Sequence, residues 1–151
     1  MLNPDFKEII SAFNDANVEY LIVGAYAVAA HGLPRTTGDI DFWIRPSRTN
    51  AERVFRALVG FGAPMERVSV DDFVAPDMIV QFGVPPGRID LITSIASVEF
   101  DDAWAARLTV IMDDIPVSVI GRDHLLRNKR AVGRPQDLAD ADRLSKQPSP
   151  A

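Results

Sequence analysis

The sequence has no cysteine, so disulfides, thiolate metal sites and thiol nucleophiles are all excluded. Only two histidines occur in 151 residues, too few for a His-rich metal centre. Long hydrophobic runs are missing as well. The longest apolar stretch, Tyr20 to Ala30, is broken by Gly24 and falls short of the roughly 20 residues that cross a bilayer. Nor does the start, Asn3-Pro4-Asp5, carry the basic and apolar regions of a secretory signal, and a cytoplasmic protein is expected. Positive charge is the minority, with 16 Lys and Arg against 21 Asp and Glu, a formal charge of -5. A field of that sign excludes bulk DNA packaging and confines any polyanion contact to a local basic patch. Walker A, Gly-x-Gly-x-x-Gly, Gly-x-Ser-x-Gly and His-Glu-x-x-His patterns are all missing, which removes support for hydrolase and dinucleotide readings.

What is present is an ordinary globular balance, 47% hydrophobic and 25% charged. It predicts one domain over 1–146 and a disordered tail, 147–151, with nothing to bury. Helical spacing of Phe6, Ile9, Ile10 and Phe13, with Asn3 as cap and Pro4 in the first turn, predicts a helix over 4–16. Tyr20-Leu21-Ile22-Val23 reads as a short strand, and Gly24 leads into an Ala-rich helix ending near His31-Gly32. A second strand, Asp39 to Ile44, alternates: Ile40, Phe42 and Ile44 on one face, Asp39, Asp41 and Trp43 on the other. Thr49 and Glu52 form a capping-box signature ahead of Val54, Phe55, Leu58 and Val59. Residues 63–77 read as an irregular connection. Hairpins are expected around Pro85-Pro86-Gly87 and Asp113-Asp114, a short helix over 97–106, and two C-terminal helices over 123–132 and 135–145.

Asp39 and Asp41, at i and i+2 on a strand, project from one face, close enough to share a divalent cation and repelling each other without one. Asp90, flanked by Ile89 and Leu91, is an acid on an apolar strand and needs a reason to be there. Three carboxylates from two adjacent strands suit one or two Mg2+ ions, whose chemistry is phosphoryl or nucleotidyl transfer. An Asp-x-Asp pair by itself is equally a solvated strand edge. Its setting sharpens the reading, because Gly24 marks a strand-to-helix turn whose backbone N–H groups can receive an anion.

Val23-Gly24-Ala25, thirteen residues, then Asp39-Ile40-Asp41-Phe42 resembles the signature of the DNA polymerase beta-like nucleotidyltransferases. Arg35-Thr36-Thr37-Gly38-Asp39-Ile40-Asp41, taken with Asn128 to Asp140, is similar to the small bacterial enzymes related to AbiEii-type toxins. The resemblance implies an α/β (α+β) fold, a mixed sheet of about five to six strands flanked by helices, in agreement with the periodicity. It implies that Asp39, Asp41 and Asp90 are the catalytic carboxylates and the ligands of Mg2+ or Mn2+. Asp90 would also help activate the acceptor hydroxyl. Gly24 and Ala25 would face the phosphates of an NTP; Ala25 departs from the family's Gly or Ser and offers no hydroxyl. The acceptor it implies is RNA, protein or a small molecule, with RNA or protein favoured and an antitoxin as possible partner. A non-catalytic nucleotide-binding or interaction module is the alternative.

Arg122, Arg127, Lys129, Arg130 and Arg134 crowd thirteen residues that hold one acid, Asp123. Lys129 and Arg134 either face phosphate, or lie on a solvated helix face or pair with Asp137 and Asp140 across the helix junction. Arg35 and Thr37, in the loop leading to Asp39, are candidates for phosphate contact. Trp43 either lines a base pocket or packs. His31 and His124 read as cap or surface residues without a chemical role.

Overall fold

The computed structural model describes residues 2–148. Its chain order is α1 (Pro4–Asp15), β1 (Tyr20–Val23), α2 (Gly24–Ala30), β2 (Asp39–Ile44), α3 (Arg48–Phe61), β3 (Ile79–Phe82), β4 (Arg88–Ile92), α4 (Phe100–Ala105), β5 (Leu108–Met112), β6 (Ile115–Val119), α5 (Arg122–Val132) and α6 (Pro135–Ser145). The six strands form one mixed sheet in the order β3-β4-β2-β1-β6-β5. β2 pairs antiparallel with β1 and parallel with β4; β1 pairs parallel with β6, and β3 and β5 close the edges as antiparallel partners. The α/β reading holds.

Alternation along β2 decides what lies on each face. Phe42, with its cross-strand partner Ile22 and neighbouring Tyr20, meets α1, where Phe13 sets its ring edge 5.1 Å from Phe42 and tilts against Tyr20 at 5.8 Å. α1 also buries Phe6, Ile9 and Ile10, and α3 packs beside it through Ala51, Val54, Ala57 and Leu58. Burial of each large aromatic there is worth roughly 3–5 kcal/mol against truncation to alanine. Asn3 caps α1 as its sequence position requires, its Oδ1 accepting from Asp5 N–H at 2.8 Å.

Four local expectations are corrected. The N-cap of α3 is Ser47, not Thr49: Ser47 is extended and its Oγ accepts from Asn50 N–H, which places Thr49 inside the first turn. Val59 lies on the exposed side of α3 at 55% accessibility, because the buried stripe runs through Ala51, Val54, Ala57 and Leu58. The 63–77 connection holds a single 3-10 turn, Val70–Phe73, boxed by Ser69 and Asp72, and it buries Phe73 completely. α4 begins at Phe100 rather than near 97, since Ser97 adopts a φ of 64° that no helix accepts. Of the two readings of His31 the cap holds: it is the C-cap of α2, 3% exposed, and its Nε2–H donates to Ile120 O at 2.8 Å. In the expected tail Gln147 is half-buried, its carbonyl accepting from Arg122, and Ser149, Pro150 and Ala151 lie outside the described residues. Among the described residues no helix is long and apolar enough to cross a membrane.

Candidate active site

The face opposite α1 and α3 carries the acids. Parallel pairing of β2 with β4 puts Asp39 opposite Arg88 and Asp41 opposite Asp90, and cross-strand partners project from the same side. The ligand oxygens of Asp39, Asp41 and Asp90 all fall within 4.8 Å of one another. Asp90 is buried, and Asp39 and Asp41 are half-buried. Further along this face Trp43 lies 1% exposed with Phe100 edge-on, ring centroids 5.0 Å apart, so it packs, and the small hollow that it borders with Phe100, Thr93 and Pro46 is away from the acids' cleft.

Two turns fix the carboxylates. β1 ends at Val23, the antiparallel partner of Asp41, and the next residue, Gly24, has a φ of +69°. A Cβ at Gly24 would collide with the Asp41 carboxylate, so glycine answers both the backbone angle and the close approach. At the other end Thr37 Oγ1 donates to Asp39 Oδ1 at 2.8 Å and orients that carboxylate. Gly38 carries the pairing one step beyond β2, its carbonyl accepting from Arg88 N–H at 3.1 Å.

Crowding acids this closely has an electrostatic consequence. Asp41 is pushed up to about 7, by burial first and then by the charges of Asp39 and Asp90, with Arg88 opposing. Burial and the charge of Asp39 both raise Tyr26. A cleft of about 350 Å³ opens beside these residues, lined by Ala25, Tyr26, Ala29, Arg35, Thr36 and Thr37.

The basic residues meet acids from the last helix. Asp140, 1% exposed, accepts from Arg35, from Gln136 Nε2 at 2.9 Å and pairs with Lys129 Nζ at 3.1 Å. Asp137, 3% exposed, takes Arg134 Nε at 2.6 Å and Lys129 Nζ at 3.4 Å. Hydrogen bonding from Arg134, then the charge of Lys129, holds Asp137 below the usual carboxylate range. Burial pushes Asp140 upward, and hydrogen bonds from Arg35, Lys129 and Gln136 outweigh it, leaving that group lowered. Of the readings of Lys129 and Arg134, the geometry shows the pairing across the junction of α5 and α6. Arg35 alone of the three also lines the cleft. His124 starts α5 at the rim of a separate hollow formed with Ala106, Gly121, Arg122 and Asp123.

A Thermotoga maritima protein whose nucleotidyltransferase activity is itself inferred superposes with a TM-score of 0.64 at 15% identity, covering 97% of this chain and 94% of that one. The fold is that of the nucleotidyltransferases. The lincosamide antibiotic adenylyltransferase LnuA, in its lincomycin-bound form, matches at a TM-score of 0.61 and 15% identity over 97% of this chain and 98% of its own. ANT(2'')-Ia in complex with adenylyl-2''-tobramycin matches at 0.57 and 13% identity over 93% and 84%. No family model matches the sequence, and no curated protein matches it by sequence, so the likeness is one of architecture.

The acid triad fits the divalent ion that this fold implies. Ligands of one octahedral Mg2+ with bonds near 2.1 Å lie roughly 3 to 4 Å apart, a spacing that the three carboxylates reach with small side-chain adjustments. Asp90 Oδ1 is buried with Arg88 Nε at 3.1 Å but no aligned hydrogen bond, so it keeps lone-pair capacity for a ligand. All donors are hard oxygens, which suits Mg2+ or Mn2+.

Two residues of the site escaped the sequence reading. Arg88 reaches Asp39 and Asp90, and its signal was in plain view, two positions before Asp90 and hence on the same strand face. Tyr26 had no such signal, because its place in the cleft depends on how α2 leaves Gly24.

Proposed function

We propose that the protein is a nucleotidyltransferase that moves an NMP from an NTP to an acceptor hydroxyl. The observation that carries this is the meeting of Asp39, Asp41 and Asp90 on neighbouring strands, against a glycine that admits the Asp41 carboxylate. Asp39 and Asp41 would hold Mg2+ or Mn2+ with Asp90, and the bound ion would supply charge neutralisation at the triphosphate. Asp90, whose Oδ1 has no aligned hydrogen bond, accepts the proton of the acceptor hydroxyl. The acceptor oxygen then bonds to the α-phosphorus as the bond to the β-phosphate breaks, and pyrophosphate leaves. Thr37 keeps Asp39 oriented, and Arg35 with the backbone of Gly24 and Ala25 borders the cleft that takes the phosphates. Lys129 and Arg134 support that wall from behind by holding the Asp137 and Asp140 pair.

LnuA is bound to lincomycin and ANT(2'')-Ia is in complex with adenylyl-2''-tobramycin, which supports the small-molecule class of acceptor beside RNA and protein. Resemblance to AbiEii-type toxins adds RNA or protein as target and an antitoxin as partner. The deciding experiment supplies each α-labelled NTP with Mg2+ and, in turn, total RNA, protein extract and hydroxylated antibiotics. Transfer of label that disappears in Asp41→Asn establishes the activity. NTP binding without transfer to any acceptor would instead favour an interaction module, the reading suggested by Ala25, which offers no side-chain contact to phosphate.

A further inference from the structure

Arg88 is the cation nearest the acid triad, and its guanidinium is committed to the same carboxylates that would ligate a metal. Its Nη2 donates to Asp39 Oδ2 at 3.0 Å and to Asp90 Oδ2 at 3.2 Å, and its Nε faces Asp90 Oδ1 at 3.1 Å. Strand register enforces this, because Arg88 lies opposite Asp39 and two residues from Asp90 on one face of β4. Asp41 receives no hydrogen bond from Arg88. With all three acids ionised, one guanidinium leaves a local charge of -2, the complement of one divalent ion.

A divalent ion drawing on oxygens of Asp39 and Asp90 would stand within a few ångströms of the guanidinium, and the two positive charges would repel. Arg88 has somewhere to go: its side chain is 33% exposed, whereas Asp90 is fixed in a buried strand. We propose that Arg88 is a built-in counter-cation of the carboxylate site, a positioning residue that holds Asp39 and Asp90 together and releases Asp39 as a divalent ion enters. Metal affinity is thereby set by competition with an internal arginine, and Asp41 is the ligand that the arginine does not hold. The inference rests on the metal-binding reading of the triad. An arginine that merely tied β2 to β4 would affect stability and leave metal affinity untouched.

Calorimetric titration with Mn2+ alone, on the wild type, Arg88→Met and Asp41→Asn, separates these. Arg88→Met should bind Mn2+ about tenfold more tightly than the wild type, since the competing charge-assisted hydrogen bonds are gone, and Asp41→Asn should lose binding. In the wild type the Arg88 Nε–H resonance should shift on Mg2+ titration and saturate together with metal binding, a readout independent of whether the variant folds. Unchanged or weaker affinity in Arg88→Met, or an Nε–H signal indifferent to saturating Mg2+, overturns the counter-cation role and leaves the metal site standing. Failure of the wild type and Arg88→Met alike to bind Mn2+ overturns both.

Discussion

Gly24 and Asp41 share one volume: the space that a Cβ on Gly24 would fill is held by the Asp41 carboxylate. Gly24→Ala therefore meets two penalties, the steric conflict and a φ of +69°, each of order 1–2 kcal/mol. The expected outcome is a loss of roughly 2–4 kcal/mol in denaturant unfolding together with loss of Mn2+ binding. Wild-type stability and metal affinity in Gly24→Ala would show that the two residues are not in contact.

Asp41 titrates near 7 in the folded protein against 3.8 for an ordinary aspartate. Between those values the folded chain holds a proton that the unfolded chain has released, so the stability contributed by this group falls as pH rises from about 4 to 7. In EDTA, Asp41→Asn should melt above the wild type at pH 8, by about 4 °C or more, and the gap should close towards pH 5. A melting difference that stays constant from pH 5 to pH 8 would remove the basis for a raised Asp41.

Asp140 and Arg134 belong to one charge network at opposite depths. Asp140→Asn strips the buried partner from Arg35 and Lys129 and should cost on the order of 3 kcal/mol in thermal or chemical unfolding. Arg134→Ala removes a side chain that is 75% exposed and should cost less than about 1 kcal/mol. Equal effects from the two would contradict the buried character of the Asp140 pair.

Asn50 makes its point through geometry alone. It is 1% exposed, accepts from Glu19 N–H at 2.8 Å and donates to Glu19 O at 3.0 Å and Arg45 O at 2.9 Å, pinning the start of β1 to the end of β2. Asn50→Ala leaves two part-buried backbone groups, Glu19 N–H and Arg45 O, without their partner, while Glu19 O keeps its bond from Arg45 N–H, and should destabilise by roughly 1–3 kcal/mol. Retained wild-type stability on urea unfolding would assign those backbone groups another partner.

Much of this arrangement was readable in the residues. The strand, glycine and helix of β1 and α2, the acid face of β2 and both hairpins follow from alternation and turn chemistry, because each is a local pattern. Asp90 stood out as an acid between Ile89 and Leu91. Other features needed the third dimension. Asn50 looks like an ordinary first-turn residue of a helix, and only the crossing of β1 and β2 beside it supplies its partners. His31 reads as a helix end until the carbonyl of Ile120, far along the chain, arrives to bury it. Thr49 and Glu52 matched a capping box, yet the extended backbone at Ser47 put the cap two residues earlier, where the sequence carried no such signature. Lys129 and Arg134 had more than one reading in sequence, which burial of Asp137 and Asp140 separated.

The ion pair between Arg35 and Asp140 joins positions 105 apart in the chain. All three carboxylates are in place once residue 90 has emerged and β2 has found β4, whereas the partner that steadies Arg35 arrives only with α6. Closing so long a loop carries an entropic cost that is recovered late in folding. A chain lacking α6 would keep its three carboxylates on β2 and β4 and leave Arg35 without the buried carboxylate that anchors it, so the last helix, remote from the acids in sequence, sets where the loop before β2 places its charge.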